Sequence, residues 1–197
     1  MALWKPWDHT IDLKDTFKPK KGHTIPLSPA EQEEVMVFLD DQLKKGYVCP
    51  SKSPQTSPVF FIPKKDGKKW MAQDYRYLNE HMVKNNYPLL LITQLVDKLQ
   101  GAKLFTKMDL RWGYNNVHIK ENDERKAAFT CFHGSFGPLV MYFGLCNLLA
   151  TFQAMMNEIF ADMDDVVVVY INDLMILTKT ENQAEHDKII LEVTRRK

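Results

Sequence analysis

The chain has 197 residues, of which 45% are hydrophobic and 26% charged, with a formal net charge of +1. That length holds one domain with a real core or two tightly joined lobes, and the composition excludes collagen, coiled coil and wholesale disorder. The N-terminal stretch MALWKPWDHTIDLKDTFKPK is charged throughout and lacks a signal-peptide core, and the longest apolar run, Val166 to Leu177, is broken by Asn172 and Asp173 and is too short to span a bilayer.

Residues 1–27 contain prolines and aromatics without a sustained period and read as an extended arm whose order must come from docking. LSPAEQEEVMVFLDDQLKKG then predicts a helix, with Ser28 as N-cap, Pro29 in the first turn, Glu31 closing a capping box and Gly46 after the last turn. Val35, Phe38, Leu39 and Leu43 are its expected buried stripe. SPVFFIPKKDGKKWMAQDYRYLN reads as two strands joined by a tight turn at Asp66-Gly67, with lysines gathered at the tip. ITQLVDKLQG predicts a short helix stopped by Gly101, and AKLFTKMDL a strand ending in Asp109.

DERKAAFTCF and PLVMYFGL are strand candidates around a glycine-containing loop. ATFQAMMNEIFADM is a helix with Phe152, Met155, Met156, Ile159 and Phe160 on one face, and EHDKIILEVTRRK is a closing helix. Between them VVVVYINDLMILT forms a hairpin with Asn172 and Asp173 at its tip. An Asn-Asp tip is by itself an ordinary turn, because both residues tolerate left-handed conformations. The whole pattern is that of an α+β fold with helices on one face of a sheet.

Charge is unevenly spread. Seven lysines oppose two aspartates between Asp41 and Trp70, whereas seven carboxylates oppose two basic residues between Glu121 and Asp165. That suits a polyanion held near a cation site, and equally two ordinary solvated faces. Cys49, Cys131 and Cys146 form no C-x-x-C pair and the six histidines show no zinc spacing, so reduced thiols in an intracellular compartment are expected, with nothing to choose between cytoplasm and nucleus.

SPVFFIPKKDGKK, QDYRYLN, NNYPL, FTKMDLRWGYNNVHI, KAAFTCFHGSF, FGLCNLLATFQ and VVVVYINDLMILT, in that order, resemble the reverse transcriptase of gypsy-class long-terminal-repeat retrotransposons, most like fungal copies. The resemblance covers nearly the whole chain from about Trp7. It implies a right-hand polymerase with a ferredoxin-like palm sheet backed by helices: an arm at 1–27, then fingers at about 28–100 and 120–135 and palm at about 101–119 and 136–197, ending before the thumb. The implied function is RNA-directed DNA polymerase within a retrotransposon polyprotein, acting on a template-primer duplex and deoxynucleoside triphosphates.

Nucleotide addition is phosphoryl transfer assisted by two Mg²⁺ ions, which need hard oxygen ligands. The resemblance places Asp109 as the first metal ligand and Asn172 and Asp173 at the paired positions of the Tyr-x-Asp-Asp hairpin. It makes Tyr114 the gate against a ribose 2′-hydroxyl, where a packed core tyrosine is the plain alternative. Lys64 or Lys65 would meet the triphosphate, Arg76 the template strand, and Phe143 with Gly144 the surroundings of the incoming nucleotide.

The chain departs from the pattern at several of these places. Asn172 replaces the first carboxylate of the pair, and Trp70 stands where an arginine would grip the triphosphate. Leu148-Leu149 and Leu90 replace helix-starting or turn prolines and their neighbours, and Arg125 replaces a tryptophan. Asp to Asn, Arg to Trp, Pro to Leu and Ser to Leu are each one C-to-T change on one strand or the other, which suggests decay by cytosine deamination; an unbiased spectrum of differences from intact sister copies would refute it. The expected state is a catalytically impaired polymerase fragment. The alternative is a non-catalytic remnant that binds nucleic acid or a protein.

Overall fold

The structure is a computed structural model that describes residues 5–63, 69–88 and 92–196. In chain order the first elements are α1 (Pro29–Lys44), β1 (Val48–Pro50), β2 (Ser57–Pro63), β3 (Lys69–Gln73), α2 (Arg76–His81), α3 (Ile92–Leu99) and β4 (Leu104–Asp109). There follow β5 (Phe129–Cys131), β6 (Gly134–Pro138), α4 (Leu148–Ile159), β7 (Val167–Tyr170), β8 (Asp173–Thr178) and α5 (Gln183–Arg195). The chain divides into two compact units, Met1–Asn85 with Tyr114–Leu148, and Asn86–Gly113 with Leu149–Lys197.

The first unit is built on a five-stranded sheet in the order β1-β6-β5-β2-β3, antiparallel except for the β2–β5 pair. The helix predicted after Ser28 forms as expected: Ser28 Oγ accepts from the Glu31 amide and the Glu31 carboxylate accepts from the Ser28 amide at 2.8 Å, which satisfies donors that a helix start leaves open. Its buried residues are Val35, Leu39 and Gln42, whereas Leu43 is exposed. The stripe turns through Gln42 because the buried amide oxygen accepts a hydrogen bond from the Tyr142 hydroxyl, which removes the cost of burying it. Val35 and Leu39 close on Val48, Val59, Phe129 and Val140 to form one core.

A second core in the same unit gathers Tyr75, Leu78, Met82, Ile119 and Ala127 around Ile11 of the N-terminal arm. The arm is ordered by docking, as its sequence required. His9 bridges to Ile119, the Ile11 amide donates to Asp123 at 2.7 Å, and the Gly22 amide donates to the Thr56 carbonyl at 2.8 Å. Gly22 is obligatory there, because a Cβ would lie 2.6 Å from the Thr56 carbonyl oxygen and 2.8 Å from Pro58.

Two strand expectations need correction. The returning strand stops at Gln73, and the residues from Arg76 onward are helical. Tyr75 and Leu78 both enter the arm core, and a three-residue spacing puts two side chains on one side of a helix but on opposite faces of a strand. PLVMYFGL is not a strand beyond Pro138, and the second strand of that pair is instead Gly134–Pro138. Val140, Met141 and Tyr142 are consecutive and all buried, with the Met141 amide donating to Val117 and the Leu139 amide to Tyr47, so a continuous apolar run here is a core-lining loop.

The second unit contains a three-stranded antiparallel sheet, β4-β8-β7, with α3, α4 and α5. The predicted helix at 92–99 ends before Gly101, whose φ of +78° suits glycine. Phe152, Met155, Met156 and Phe160 are buried, as the stripe on α4 predicted. That helix starts at Leu148 although no proline precedes it. Thr106 on β4 and Thr178 on β8 bond the two ring nitrogens of His186 from α5 at 2.9 and 3.1 Å, pinning the helix against one sheet face. Among the described residues no helix is long and apolar enough to cross a membrane.

Candidate active site

The register of the small sheet determines the site. Asp109, the last residue of β4, is directly opposite Asp173, the first of β8, and Asp173 is opposite Tyr170 at the end of β7. Residues that face each other across an antiparallel pair project to the same side about 5 Å apart. Counting back by twos from Asp109 puts Lys107 and Phe105 on that side too, away from the face that carries Thr106 and His186. Two carboxylates separated by 64 positions in sequence are thus brought together by strand pairing alone.

Ile171 and Asn172 are the two loop residues of the hairpin. The left-handed residue is Ile171, with φ +58°, and neither Asn172 nor Asp173 has a positive φ. A positive φ at the first loop position only is the pattern of a type II′ turn, which favours glycine there. A β-branched residue in that conformation costs on the order of 1–2 kcal/mol. Asn172 and Asp173 are therefore not explained as turn formers, and strain kept at this tip is what a functional site accounts for.

Asn172 is tied to the Asp109 strand end by its backbone, since its carbonyl accepts from the Leu110 amide at 2.9 Å. Its side-chain oxygen is buried without a hydrogen-bond partner and faces Gly113, where a Cβ would lie 3.4 Å from it and 3.0 Å from the Phe152 ring. An unsatisfied buried amide oxygen costs roughly 1–3 kcal/mol. Lys107 Nζ lies 3.0 Å from Asp173 Oδ2, a cross-strand diagonal ion pair with both groups partly exposed. Among the described residues no three His, Cys, Asp or Glu side chains converge as a metal site, because the third place at this tip is an amide.

The other expected residues belong to the first unit. Trp70 on β3 meets the Phe143 ring edge-on at 5.4 Å, and Phe143 meets Tyr114 edge-on at 5.1 Å. Tyr114 is 3% exposed, Phe143 44% and Trp70 46%. Gly144, with φ +95°, follows Phe143, and its carbonyl accepts from the Asn79 amide group at 2.6 Å while Asn79 accepts from the Cys146 amide at 2.7 Å. Arg76 projects into solvent and forms a two-pronged pair with Asp74 at 2.8 and 2.6 Å, which holds the Asp74 carboxyl below its usual range. Lys64, Lys65, the Asp66-Gly67 turn and Leu90 lie outside the described residues.

Sequence reasoning missed three residues. Lys107 was legible as the position two before Asp109 on an alternating strand. Asn79 was present in QDYRYLN, but its partner loop is 65 positions away. The strain at Ile171 has no sequence signal, since nothing in a Val-Tyr-Ile-Asn-Asp run announces a left-handed isoleucine.

Two sheets with their helices, and a hairpin that sets one carboxylate against another from a neighbouring strand, are what the fingers-and-palm fold implied by the sequence motifs requires. Residues 62–197 match the family model for reverse transcriptase (RNA-dependent DNA polymerase), and the chain belongs to that family. It is 38% identical over 169 residues to the Transposon Tf2-3 and Tf2-4 polyproteins of Schizosaccharomyces pombe; the match spans 85% of this chain and 13% of each relative. The fold is also that of the prototype foamy virus protease-reverse transcriptase (TM-score 0.82, 24% identity) and of the foamy viral protease-reverse transcriptase in complex with RNA/DNA hybrid (TM-score 0.83, 23% identity). Each of those matches covers 96% of this chain and 25% of the solved one. The chain is thus a reverse transcriptase domain fragment of the retrotransposon type, with an α+β fingers-and-palm fold.

Proposed function

We propose that this chain is an RNA-directed DNA polymerase module with a weakened metal site, retaining the surface that holds a template-primer duplex. The observation that carries it is the pairing of Asp109 with Asp173 on the open side of the palm sheet, beside a hairpin strained at Ile171. Two carboxylates with a third, unsatisfied oxygen at one strand end are hard donors and fit a divalent cation such as Mg²⁺. Asp109 and Asp173 would hold it, and Asn172 would add a neutral oxygen. The chemistry that such ions would supply there is a lower barrier to attack by the primer hydroxyl and stabilisation of the leaving pyrophosphate.

The chain's own groups do the rest. In the family pattern Tyr114 corresponds to the gate on the sugar side, Phe143 and Gly144 to the surroundings of the incoming nucleotide, Lys64 or Lys65 to the contact with its phosphates, and Arg76, exposed and paired with Asp74, to the contact with the template strand. Trp70 supplies no charge where the family uses an arginine, since an indole donates one hydrogen bond and cannot fork onto a phosphate. Removing one preorganised charge-stabilising group costs about 10²–10³ in turnover.

The test is primer extension on an RNA template with Mg²⁺, comparing this chain with Asn172→Asp and with the Asn172→Asp, Trp70→Arg double variant. Extension by the variants above the parent supports the reading. If neither variant exceeds the parent, the polymerase assignment for this fragment fails and the non-catalytic remnant, binding nucleic acid or a protein, is the reading that Asn172 and Trp70 favour.

A further inference from the structure

We propose that Lys107 is a built-in counter-ion at the tip of the β4–β8 pair, whose ammonium a divalent ion must displace from Asp173, so that this lysine sets how tightly the site takes metal. The inference rests on the divalent site proposed above and concerns its control by the chain itself. Asp109 and Asp173 are directly opposite each other, and like charges in that position repel. Lys107 is two residues before Asp109 on the same face, opposite Met175, and reaches across diagonally so that its Nζ lies 3.0 Å from Asp173 Oδ2. One cation thus offsets the repulsion between two carboxylates that strand register forces together.

A partly exposed ion pair contributes little to stability on its own, so the consequence of this one lies in its place. The carboxylate that the ammonium engages is one of the two that would hold a hard cation, and the same oxygen cannot serve both at full strength. The Lys107 side chain is 61% exposed, which leaves it room to swing away when a more highly charged cation takes the carboxylate. Charge sets how readily that exchange occurs. Two carboxylates and one ammonium leave a net charge of −1 at the tip, because Asn172 is neutral, whereas Asn172→Asp makes it −2. Loss of the carboxylate at position 172 therefore favours the ammonium over the metal. A unit charge a few ångströms from a divalent ion in water-like surroundings changes its binding constant by roughly tenfold, and salt screening and the freedom of the lysine stem reduce that effect.

The experiment is Mn²⁺ binding by the full chain at low salt, read from the electron paramagnetic resonance signal of the free ion and counting only the binding that Asp173→Asn removes. Lys107→Met keeps most of the stem and drops the charge, and it is expected to bind Mn²⁺ about fivefold tighter than the parent, an advantage that shrinks in high salt. Lys107→Gln, a second neutral variant, should match it, and Lys107→Arg should stay at the parent value. Urea unfolding gives a readout that a merely structural role would not move: Mn²⁺ raises the midpoint of Lys107→Met by more than it raises that of the parent. Equal or weaker binding by both neutral variants, an equal gain in Lys107→Arg, or equal midpoint shifts overturn the counter-ion. The two readings fail separately, because equal binding by parent and variants removes the counter-ion and leaves the divalent site, whereas absence of Asp173-dependent binding in every protein removes both.

Discussion

The two units carry their candidate functional residues by different means. In the second unit Asp109, Asp173, Tyr170 and Lys107 are placed by strand register, so each position follows from counting along a ladder of backbone hydrogen bonds. In the first unit Trp70, Tyr114 and Phe143 come from a strand, a 3₁₀ turn over Gly113–Asn116 and a loop, and the Phe143 loop depends on the Asn79 side chain. A register-built site survives loss of a side chain, because the backbone still aims whatever residue occupies the position. Asn172 illustrates this, since its carbonyl keeps the bond to Leu110 although the carboxylate is gone. A docking-built site is more fragile, because its order is shared with every residue that packs there.

The sharpest way to break this comparison is to restore the palm. If register alone aims the tip, Asn172→Asp needs no other repair, and primer extension rises by about 10²–10³. A rise that requires additional changes in the palm sheet shows that decay has reached the backbone.

In the first unit, Gly22→Ala is expected to have the largest effect on stability. The added methyl meets the Thr56 carbonyl oxygen and Pro58 at distances real contacts do not reach, so the arm must lift from the sheet. We expect a loss of about 3 kcal/mol in urea unfolding, the upper end of overpacking costs, together with new protease cleavage within residues 5–22. An equally large loss from Gly113→Ala, whose methyl would press on the edge of the Phe152 ring at 3.0 Å and touch the Asn172 side-chain oxygen at 3.4 Å, makes the two units alike in fragility and defeats the distinction.

The arm also makes the first unit sensitive to acid. Burial lowers the His9 pKa from 6.5 to about 4, against the opposing pull of Asp123 and Asp12. A histidine with a lowered folded pKa is kept neutral by the fold. Its penalty is therefore absent above about pH 6.5, grows as pH falls towards about 4 and is constant below that. The full penalty is about 3 kcal/mol, and His9→Asn should flatten this part of a stability-versus-pH curve measured by urea unfolding. An unchanged slope in the variant assigns the acid sensitivity elsewhere.

The smallest effect is expected at the palm tip. Ile171→Gly removes the left-handed strain and should raise stability by up to about 1 kcal/mol, offset in part by the entropy of the new glycine. If the strain serves the site, the same change lowers extension by the Asn172→Asp variant. A stability gain without a cost in extension shows the strain to be incidental.

Much of this was legible in the sequence. The Ser28-Pro29-Glu31 signal specifies a helix start through local hydrogen bonds, Asp109 ends an apolar strand, and the methionine stripe marks the buried face of α4; each depends on interactions within a few residues. The family motifs pointed to Asp109, Asn172 and Asp173 as a candidate site before any geometry, and strand register accounts for the pairing of the two aspartates. Only the tertiary structure could decide the rest. That YRYLN is helical follows from burial of Tyr75 and Leu78 against an arm more than 60 residues earlier, and PLVMYFGL lost its strand because three successive side chains are buried together. Lys107 reaches Asp173, Asn79 holds the Phe143 loop and Ile171 takes up the strain for the same physical reason: long-range pairing sets energies that no local pattern encodes.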